Sequence, residues 1–136
     1  MAEPPVYRVL VTGSRDWWDY EAVCFELAGL ALLHNPLVVV HGAHRTGADC
    51  FAAMSAKAIG ARQEPHPADW KRWNRKAGPI RNEEMVAAGA DLCLCFLMPC
   101  SSQRCRNRKP HNSHGATHCA GLAEKAGIEV RRFTDG

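Results

Sequence analysis

Short apolar runs alternate along the chain with longer segments whose apolar residues recur at helical spacing. Residues 6–11 (VYRVLV) alternate and are β-rich, which predicts a strand. Residues 37–40 (LVVV) form a continuous apolar run, which is typical of a strand covered on both faces. Residues 91–97 (DLCLCFL) predict another strong strand, residues 62–66 a weak one, and residues 128–133 the last one.

Four helices are predicted between these strands. Tyr20–Leu33 carries Val23, Leu27 and Leu30 at helical spacing and should end near Asn35 and Pro36. The other three cover residues 48–59, 83–88 and 116–126, followed by Gly60, Gly89 and Gly127. Strands that alternate with helices imply a parallel sheet with right-handed crossovers. We therefore expect a single Rossmann-like α/β domain over residues 1–136, with about five parallel strands and helices on both faces.

Composition restricts the function only weakly. Of 136 residues, 46% are hydrophobic and 23% are charged, and the formal charge is +3 because 17 basic residues are mixed with 14 acidic ones. This bias permits an anionic ligand and does not require nucleic acid, so we expect a small-molecule partner and consider nucleic acid unlikely.

The start of the chain and the cysteine content bear on location. MAEPPVYR has no basic region followed by an apolar run, and the longest apolar run, residues 27–33, is too short for a membrane span. We therefore expect no targeting segment and no membrane association. Seven cysteines, with Cys93 and Cys95 alternating in an apolar run, favour a reduced cytoplasmic protein over a disulfide scaffold.

Glycines, hydroxyls and arginines follow the predicted strands. In open parallel sheets, ligands bind outside the carboxyl ends of the strands, where these loops meet. Each loop leads into a helix N-terminus, which favours an anion, and Arg15, Arg45 and Arg81 offer forked donors to phosphate oxygens. The candidate ligand-binding residues are Gly13, Ser14, Arg15, Gly42, Gly47, Asp49, Arg81, Asn82, Ser113 and Gly115, with Trp70 and Trp73 as candidates for stacking on a base.

Each of these features also has a purely structural explanation. HGAHRTG, residues 41–47, matches neither the GxGxxG pattern nor a Walker loop. Asp49 can simply favour a helix N-terminus, and the two tryptophans can pack in place of stacking. The case for a ligand site is that four such loops converge on one edge of the predicted sheet.

The sequence also resembles a known family. VTGSRDW, VVVHGAHRTGAD, DWKRWNRKAGPIRNEEMV, DLCLCF and SHGATHCAGLAEKAGIEV occur in that order, and together they resemble the YspA/YpsA-related branch of the SLOG superfamily. That superfamily also contains the LOG phosphoribohydrolases and the Smf/DprA proteins. The resemblance covers roughly residues 6–133 and implies a Rossmann-like fold that binds a nucleotide or nucleotide-derived ligand. By motif, the resemblance matches the candidates to the family's first loop (Gly13, Ser14, Arg15), its second loop (Gly42, Gly47, Asp49), its AGPIRN block (Arg81, Asn82) and the point where its glycine-rich phosphate loop enters a helix (Gly115).

One departure from the LOG pattern bears on catalysis. LOG enzymes carry PGGxGTxxE, whose glutamate serves N-glycosidic hydrolysis, whereas this chain has SHGATHC, which places Cys119 at the glutamate position. A cysteine neither stabilises an oxocarbenium-like centre nor activates water well. Asp49, Glu83 or Glu84 could substitute, but their spacing does not show it. The catalytic residues are therefore unknown.

The segment PCSSQRCRNRKPHNSHGATHC combines cysteines and histidines with basic residues. Its spacing C-x4-C-x5-H-x2-H resembles a small structural zinc knuckle formed by Cys100, Cys105, His111 and His114. The alternative is a metal-free basic loop. In either case Arg104, Arg106, Arg108 and Lys109 make it cationic, either as a solvated flap or as a lid over an anionic ligand.

These features leave two main functions and one weaker one. A missing glutamate favours a binding module that senses or sequesters a nucleotide signal over a nucleoside-monophosphate phosphoribohydrolase. Single-stranded DNA binding is weaker, because the basic residues form no continuous patch in the sequence. We also expect a homodimer that pairs through the alanine-rich helix or through the helix at residues 83–88.

Overall fold

The computed structural model describes residues 5–107 and 109–134 of the chain. Its strands are β1 (Tyr7–Gly13), β2 (Leu37–His41), β3 (Arg62–Pro65), β4 (Leu92–Leu97) and β5 (Glu129–Thr134). Its helices are α1 (Tyr20–Leu33), α2 (Gly47–Ile59), α3 (Trp70–Trp73), α4 (Ala77–Ala87) and α5 (His114–Lys125), and a short 3-10 turn at Asn74–Lys76 joins α3 to α4.

The five strands form one parallel sheet in the order β3-β2-β1-β4-β5. The chain builds outward from β1 to β3 and then returns to place β4 on the other side of β1. The pair β1–β4 runs from Val9 opposite Leu92 to Gly13 opposite Phe96. Because the strand order reverses there, the carboxyl ends of β1 and β4 form the switch point at which open α/β sheets bind ligands. The expected Rossmann-like sheet of five parallel strands is confirmed.

Helices cover both faces of this sheet, as expected. Successive residues of β1 divide between two apolar clusters, because side chains alternate along a strand. Val9 and Val11 pack in the cluster that contains α1 and α2, whereas Leu10 packs with Met85 of α4 and Cys119 of α5. Every residue of β2 and of β4 is buried, which accounts for their continuous apolar sequences.

The predicted boundaries were wrong around α4. We expected a loop up to Asn82 and a helix over residues 83–88, but α4 begins at Ala77. Pro79 lies in the first turn of this helix, where the backbone N–H has no intrahelical partner and proline is tolerated. Arg81 and Asn82 therefore lie on a helix and not on a loop. The start of α5 also differs, since it lies at His114 and not at residue 116.

Two expectations concern residues outside the described ranges. The first four residues of MAEPPVYR, on which the expected absence of a targeting segment depends, lie outside them, as does Arg108 of the basic loop. Within residues 5–107 and 109–134, none of the helices combines the length and the apolar content that crossing a bilayer requires.

Candidate functional site

A cavity of about 970 Å³ opens at the carboxyl ends of β1 and β4. Its walls come from four parts of the chain: the loop after β1, the start of α2, the α3–α4 region, and residues 98–113 between β4 and α5. Its charged lining consists of four arginines and two carboxylates, namely Arg15, Arg75, Arg81, Arg104, Asp16 and Asp49, beside three histidines. The excess of guanidinium groups makes these walls cationic, which suits an anionic ligand.

The N-terminus of α5 also faces this cavity. Ser113, His114, Gly115 and Ala116 all line it, and Ser113 occupies the N-cap position without a side-chain capping bond. The first backbone N–H groups of a helix lack intrahelical partners and carry a partial positive charge. The arrangement is therefore able to receive phosphate or carboxylate oxygens at this end of the cavity.

Ser14 joins three parts of the site. Its hydroxyl accepts a hydrogen bond from the Met98 N–H at 2.8 Å and shares a second one with Ser113 Oγ at 2.6 Å. Its backbone N–H donates to the Phe96 carbonyl at 2.9 Å. The side chain is only 2% exposed, so the end of β1 is fixed to both ends of the segment between β4 and α5.

Arg81 and Asn82 connect the loop after β2 with α5. Arg81 Nη1 donates to the Gly42 carbonyl at 2.7 Å, and its Nε donates to Asn82 Oδ1 at 3.0 Å. Asn82 Nδ2 donates in turn to the Gly115 carbonyl at 3.3 Å and to His118 Nδ1 at 3.1 Å. Both residues line the cavity, but most of their polar atoms serve these contacts and hold its walls in position.

Asp49 is a buried carboxyl group in the first turn of α2. Its Oδ2 accepts a hydrogen bond from the His44 N–H at 3.4 Å. Burial raises the pKa of Asp49, and the charges of Arg81 and His41 oppose that shift. A carboxyl group with a perturbed pKa beside a cavity is a candidate acid or base. The other two carboxylates considered from the sequence, Glu83 and Glu84, are exposed and do not line this cavity.

Two comparisons with known proteins bear on this geometry. The model of the YspA, cpYpsA-related SLOG family matches residues 7–73. The Gene 61 protein of Mycobacterium phage D29 is 43% identical over 135 residues, which cover 94% of this chain and 97% of that protein. The chain belongs to the YspA, cpYpsA-related SLOG family. The part matched by the SLOG family model contains the loops after β1 and β2 and both tryptophans, whereas Arg81, Asn82, Ser113 and Gly115 lie beyond it.

Several candidates of this SLOG chain do not line the cavity. Gly42 lies where a side-chain Cβ would collide with Arg81, and Gly47 has a φ of 73° and leaves no room for a Cβ against the Ser14 carbonyl. Close approach of the Arg81 guanidinium at Gly42, and of the Ser14–Arg15 backbone at Gly47, therefore explains both glycines without a ligand. Arg45 and Trp73 are also absent from the lining, whereas the other candidate ligand-binding residues belong to it.

The two tryptophans of α3 have different surroundings. Trp70 lines the cavity and is 46% exposed, and the Arg15 guanidinium lies 5.5 Å from its ring centroid. Trp73 pairs with Arg72 outside the cavity, at 4.6 Å from the ring centroid to the guanidinium carbon. Trp70 is therefore the one of the two that is placed to contact a ligand.

Cys119 is a core residue of α5. It is fully buried and packs with Leu10, Met85 and Cys93, and it does not line the cavity. Burial raises the pKa of its thiol to about 11, against the opposing effect of a hydrogen bond with Thr12. The thiol is therefore neutral near pH 7, and the position occupied by a glutamate in LOG enzymes contributes no base here.

Sequence reasoning missed several residues of the lining. Arg75, His44 and Asp16 were not named as candidates, and His118 was considered only as part of the Cys/His segment. Arg75 lies in the 3-10 turn between α3 and α4, and both of these helices also contribute residues to the lining. Its only sequence signal was the basic stretch WKRWNRK before AGPIRN, which reads equally well as a solvated surface.

The four predicted metal ligands lie together. One ligand atom from each of Cys100, Cys105, His111 and His114 falls within 4.8 Å of all the others. Cys100 and His114 also belong to the cavity lining, whereas Cys105 and His111 do not. This cluster is able to hold a metal ion.

Proposed function

We propose that this chain binds a nucleotide or nucleotide-derived ligand in the cavity and acts as a sensor or sequestering module. The observation that carries the proposal is the cationic lining at the switch point, where four arginines and the N-terminus of α5 border one space. Its volume of about 970 Å³ is ample for a nucleotide. Membership of the SLOG family supports a nucleotide-related role at this coarse level.

The lining suggests how such a ligand would lie. Phosphate oxygens fit the free N–H groups of α5 and the guanidinium groups of Arg15 and Arg104, both of which are exposed. Trp70 offers an aromatic surface for a base. Arg81 is less suited to be the main phosphate donor, because its Nε and Nη1 already serve Asn82 and Gly42.

A binding role is favoured over hydrolysis by the environment of Cys119, which supplies no acid or base. The second candidate function, N-glycosidic hydrolysis of a nucleoside monophosphate, draws support from Asp49, whose burial raises its pKa beside the cavity. Single-stranded DNA binding is a weaker alternative, since four arginines gather around one cavity and the basic residues form no continuous patch in the sequence. The free state of all seven cysteines is compatible with the cytoplasmic location that we propose.

Calorimetry with nucleoside monophosphates, nucleoside diphosphates, dinucleotides and ADP-ribose tests the proposed site. We expect at least one of them to bind, and we expect Arg15→Ala and Arg104→Ala each to weaken its affinity about tenfold or more. Each change removes a charge-assisted contact to phosphate that is worth roughly 1.5–3 kcal/mol.

Arg62→Ala is the matched control. Arg62 is also an exposed arginine, but it is the first residue of β3 and so lies at the amino ends of the strands, whereas the cavity lies at their carboxyl ends. Its dissociation constant should equal that of the wild type. If Arg15→Ala and Arg104→Ala bind the ligand as tightly as Arg62→Ala and the wild type do, the proposed ligand site is rejected. Chromatography of the incubated ligand separates the two functions: an intact nucleotide supports sensing or sequestration, and release of a free base that Asp49→Asn abolishes supports hydrolysis.

A further inference from the structure

We propose that Cys100, Cys105, His111 and His114 hold a structural zinc ion, which fixes the segment between β4 and α5. The four residues lie within 15 positions of one segment, which contains no Val, Leu, Ile, Met, Phe, Tyr or Trp between Pro99 and Gly115. An ion at this point would lie against one wall of the cavity, because Cys100 and His114 line it.

The distances within the cluster match a tetrahedral zinc site. Typical Zn–S and Zn–N bonds place a sulfur and a nitrogen ligand about 3.6 Å apart. Cys105 Sγ lies 3.4 Å from His111 Nε2 and 3.5 Å from His114 Nε2, and Cys100 Sγ lies 3.7 Å from His114 Nε2. The two Nε2 atoms are 3.0 Å apart, against about 3.4 Å in an ideal tetrahedron.

A hydrogen bond at Nδ1 of His111 leaves Nε2 of the same ring free to coordinate a metal. His111 Nδ1 lies 2.7 Å from the Lys109 carbonyl, which can only accept a hydrogen bond. Nδ1 must therefore carry the proton, which leaves the lone pair of Nε2 free to bind a metal. A backbone carbonyl is one of the common partners of a zinc-bound histidine in this position.

Backbone contacts bring the ligands together without help from an apolar core. The Cys100 N–H donates to the His111 carbonyl at 2.7 Å, and an antiparallel bridge joins Pro99 to Asn112. The Cys105 N–H donates to the Ser102 carbonyl at 3.2 Å, which closes a turn that returns Cys105 to the other ligands.

The donor set also indicates the kind of metal and its role. Two thiolates and two imidazoles select zinc over the hard cations magnesium and calcium. Binding displaces the two thiol protons to solvent and gives a site without net charge. Four protein ligands complete the tetrahedron and leave no position for water, so the ion is structural and not catalytic.

Metal analysis of protein purified without a metal-affinity tag tests the assignment. We expect one zinc per chain by elemental analysis and by native mass spectrometry. Cys105→Ser and His111→Ala should each lose it on dialysis against a mild chelator. Cys50→Ser should keep one zinc, because Cys50 is an equally free cysteine on α2, outside the cluster.

Two further measurements keep the test decisive if a variant fails to fold. The wild-type chain, freed of metal, should take up one Co²⁺ with the visible spectrum of a tetrahedral site and its thiolate charge-transfer band. Zinc removal should also speed trypsin cleavage after the exposed Arg104 and Arg106, because the segment loses its constraint.

Three results would overturn the proposal. They are a wild-type chain that binds neither Zn²⁺ nor Co²⁺, a chain that carries another metal such as iron, and retention of zinc by both ligand variants. The metal assay is independent of nucleotide binding, so a zinc-loaded chain without nucleotide affinity would uphold this inference and reject the proposed function.

Discussion

Buried polar side chains around the cavity are fixed by one another before any ligand arrives. Ser14, Asn82 and Asp49 are 2%, 4% and 9% exposed, and the first two each bridge separate elements. Such a shell positions the exposed donors, among them Arg15, that would touch a ligand. Substitution of the buried residues should therefore affect stability, and substitution of the exposed arginines should affect affinity.

At the residue scale, Asp49→Asn should stabilise the protein at neutral pH. Burial raises the pKa of Asp49 above its ordinary value of 3.8, so the wild type loses stability as the pH rises through the pKa of the folded state. Asparagine carries no charge at any pH, and the gain should therefore shrink as the solution is acidified.

Thermal unfolding between pH 4 and pH 8 measures the effect of Asp49→Asn, at roughly 4 °C of Tm for each kcal/mol. A lower Tm for the variant at pH 7 would show that the attraction between Asp49 and Arg81 outweighs the burial of the charge. In that case Asp49 would be a structural ion partner and a poor candidate for an acid or base.

At the scale of the elements, β1 and β3 are joined over the intervening strand β2. Arg8 Nη1 and Nη2 each donate to the Glu64 carboxylate at 2.8 Å, and Arg8 Nε donates to the Gly89 carbonyl at 2.8 Å. His66 lies 2.8 Å from the same carboxylate. The hydrogen bonds from Arg8, followed by those of His66, lower the pKa of Glu64 to about 2.

Glu64→Gln should lower the free energy of unfolding at pH 7 by about 1 kcal/mol, since the partly exposed carboxylate is screened by solvent. A lowered pKa stabilises the fold above the ordinary value of 4.5, and this contribution is lost as the pH falls from there to about 2. Urea unfolding across that interval should show the two proteins converge. Glu129→Gln, which breaks the exposed pair with Arg131, is the control and should change stability by less than about 0.5 kcal/mol.

The elements were predictable where local pattern and burial agree. β2 was found because all its residues are buried and it reads as an apolar run, whereas β3, an exposed edge strand, gave only a weak signal. The start of α4 was missed because Pro79 indicates a break in an isolated sequence but is harmless in the first turn. The local sequence pattern thus predicted the order of the strands and helices better than the residues at which they begin and end.

At the scale of the whole molecule, the site was only partly predictable. The topology places the loops after β1, β2 and β4 at one edge, and the expected residues of those loops follow from it. The Ser14–Ser113 hydrogen bond joins residues 99 positions apart, and no local pattern encodes such a contact. The burial of Cys119 likewise depends on how α5 packs on β1 and α4.

The predicted dimer also belongs to this scale. Of the two helices suggested for pairing, α2 exposes Met54 to 50%, and α4 presents the charged Glu83 and Glu84. Apolar side chains are more exposed on α1, where Phe25 is 77% and Leu32 is 88% exposed. We expect light scattering to give a particle of twice the chain mass of 15.0 kDa.

Matched variants locate the contact of this dimer. Phe25→Glu should convert the dimer to monomer if α1 is the contact, and Met54→Glu should do so if α2 is. A wild-type particle with the mass of one chain would reject the predicted dimer. A dimer that persists in both variants would exclude α1 and α2 as its contact.

The hydrogen bond from the Ser113 N–H to the Met98 carbonyl, 3.0 Å long, closes residues 98–113 at their base. Ser14 Oγ reinforces that closure from β1. The ends of β1 and β4 and the N-terminus of α5 therefore meet at one junction, formed by residues at the two ends of this segment and not by those in its middle. We therefore expect substitutions within residues 99–112, apart from the proposed zinc ligands, to reshape one wall of the cavity and to leave the parallel sheet as it is. In that case the ligand preference of the proposed site can be re-engineered without a change of fold.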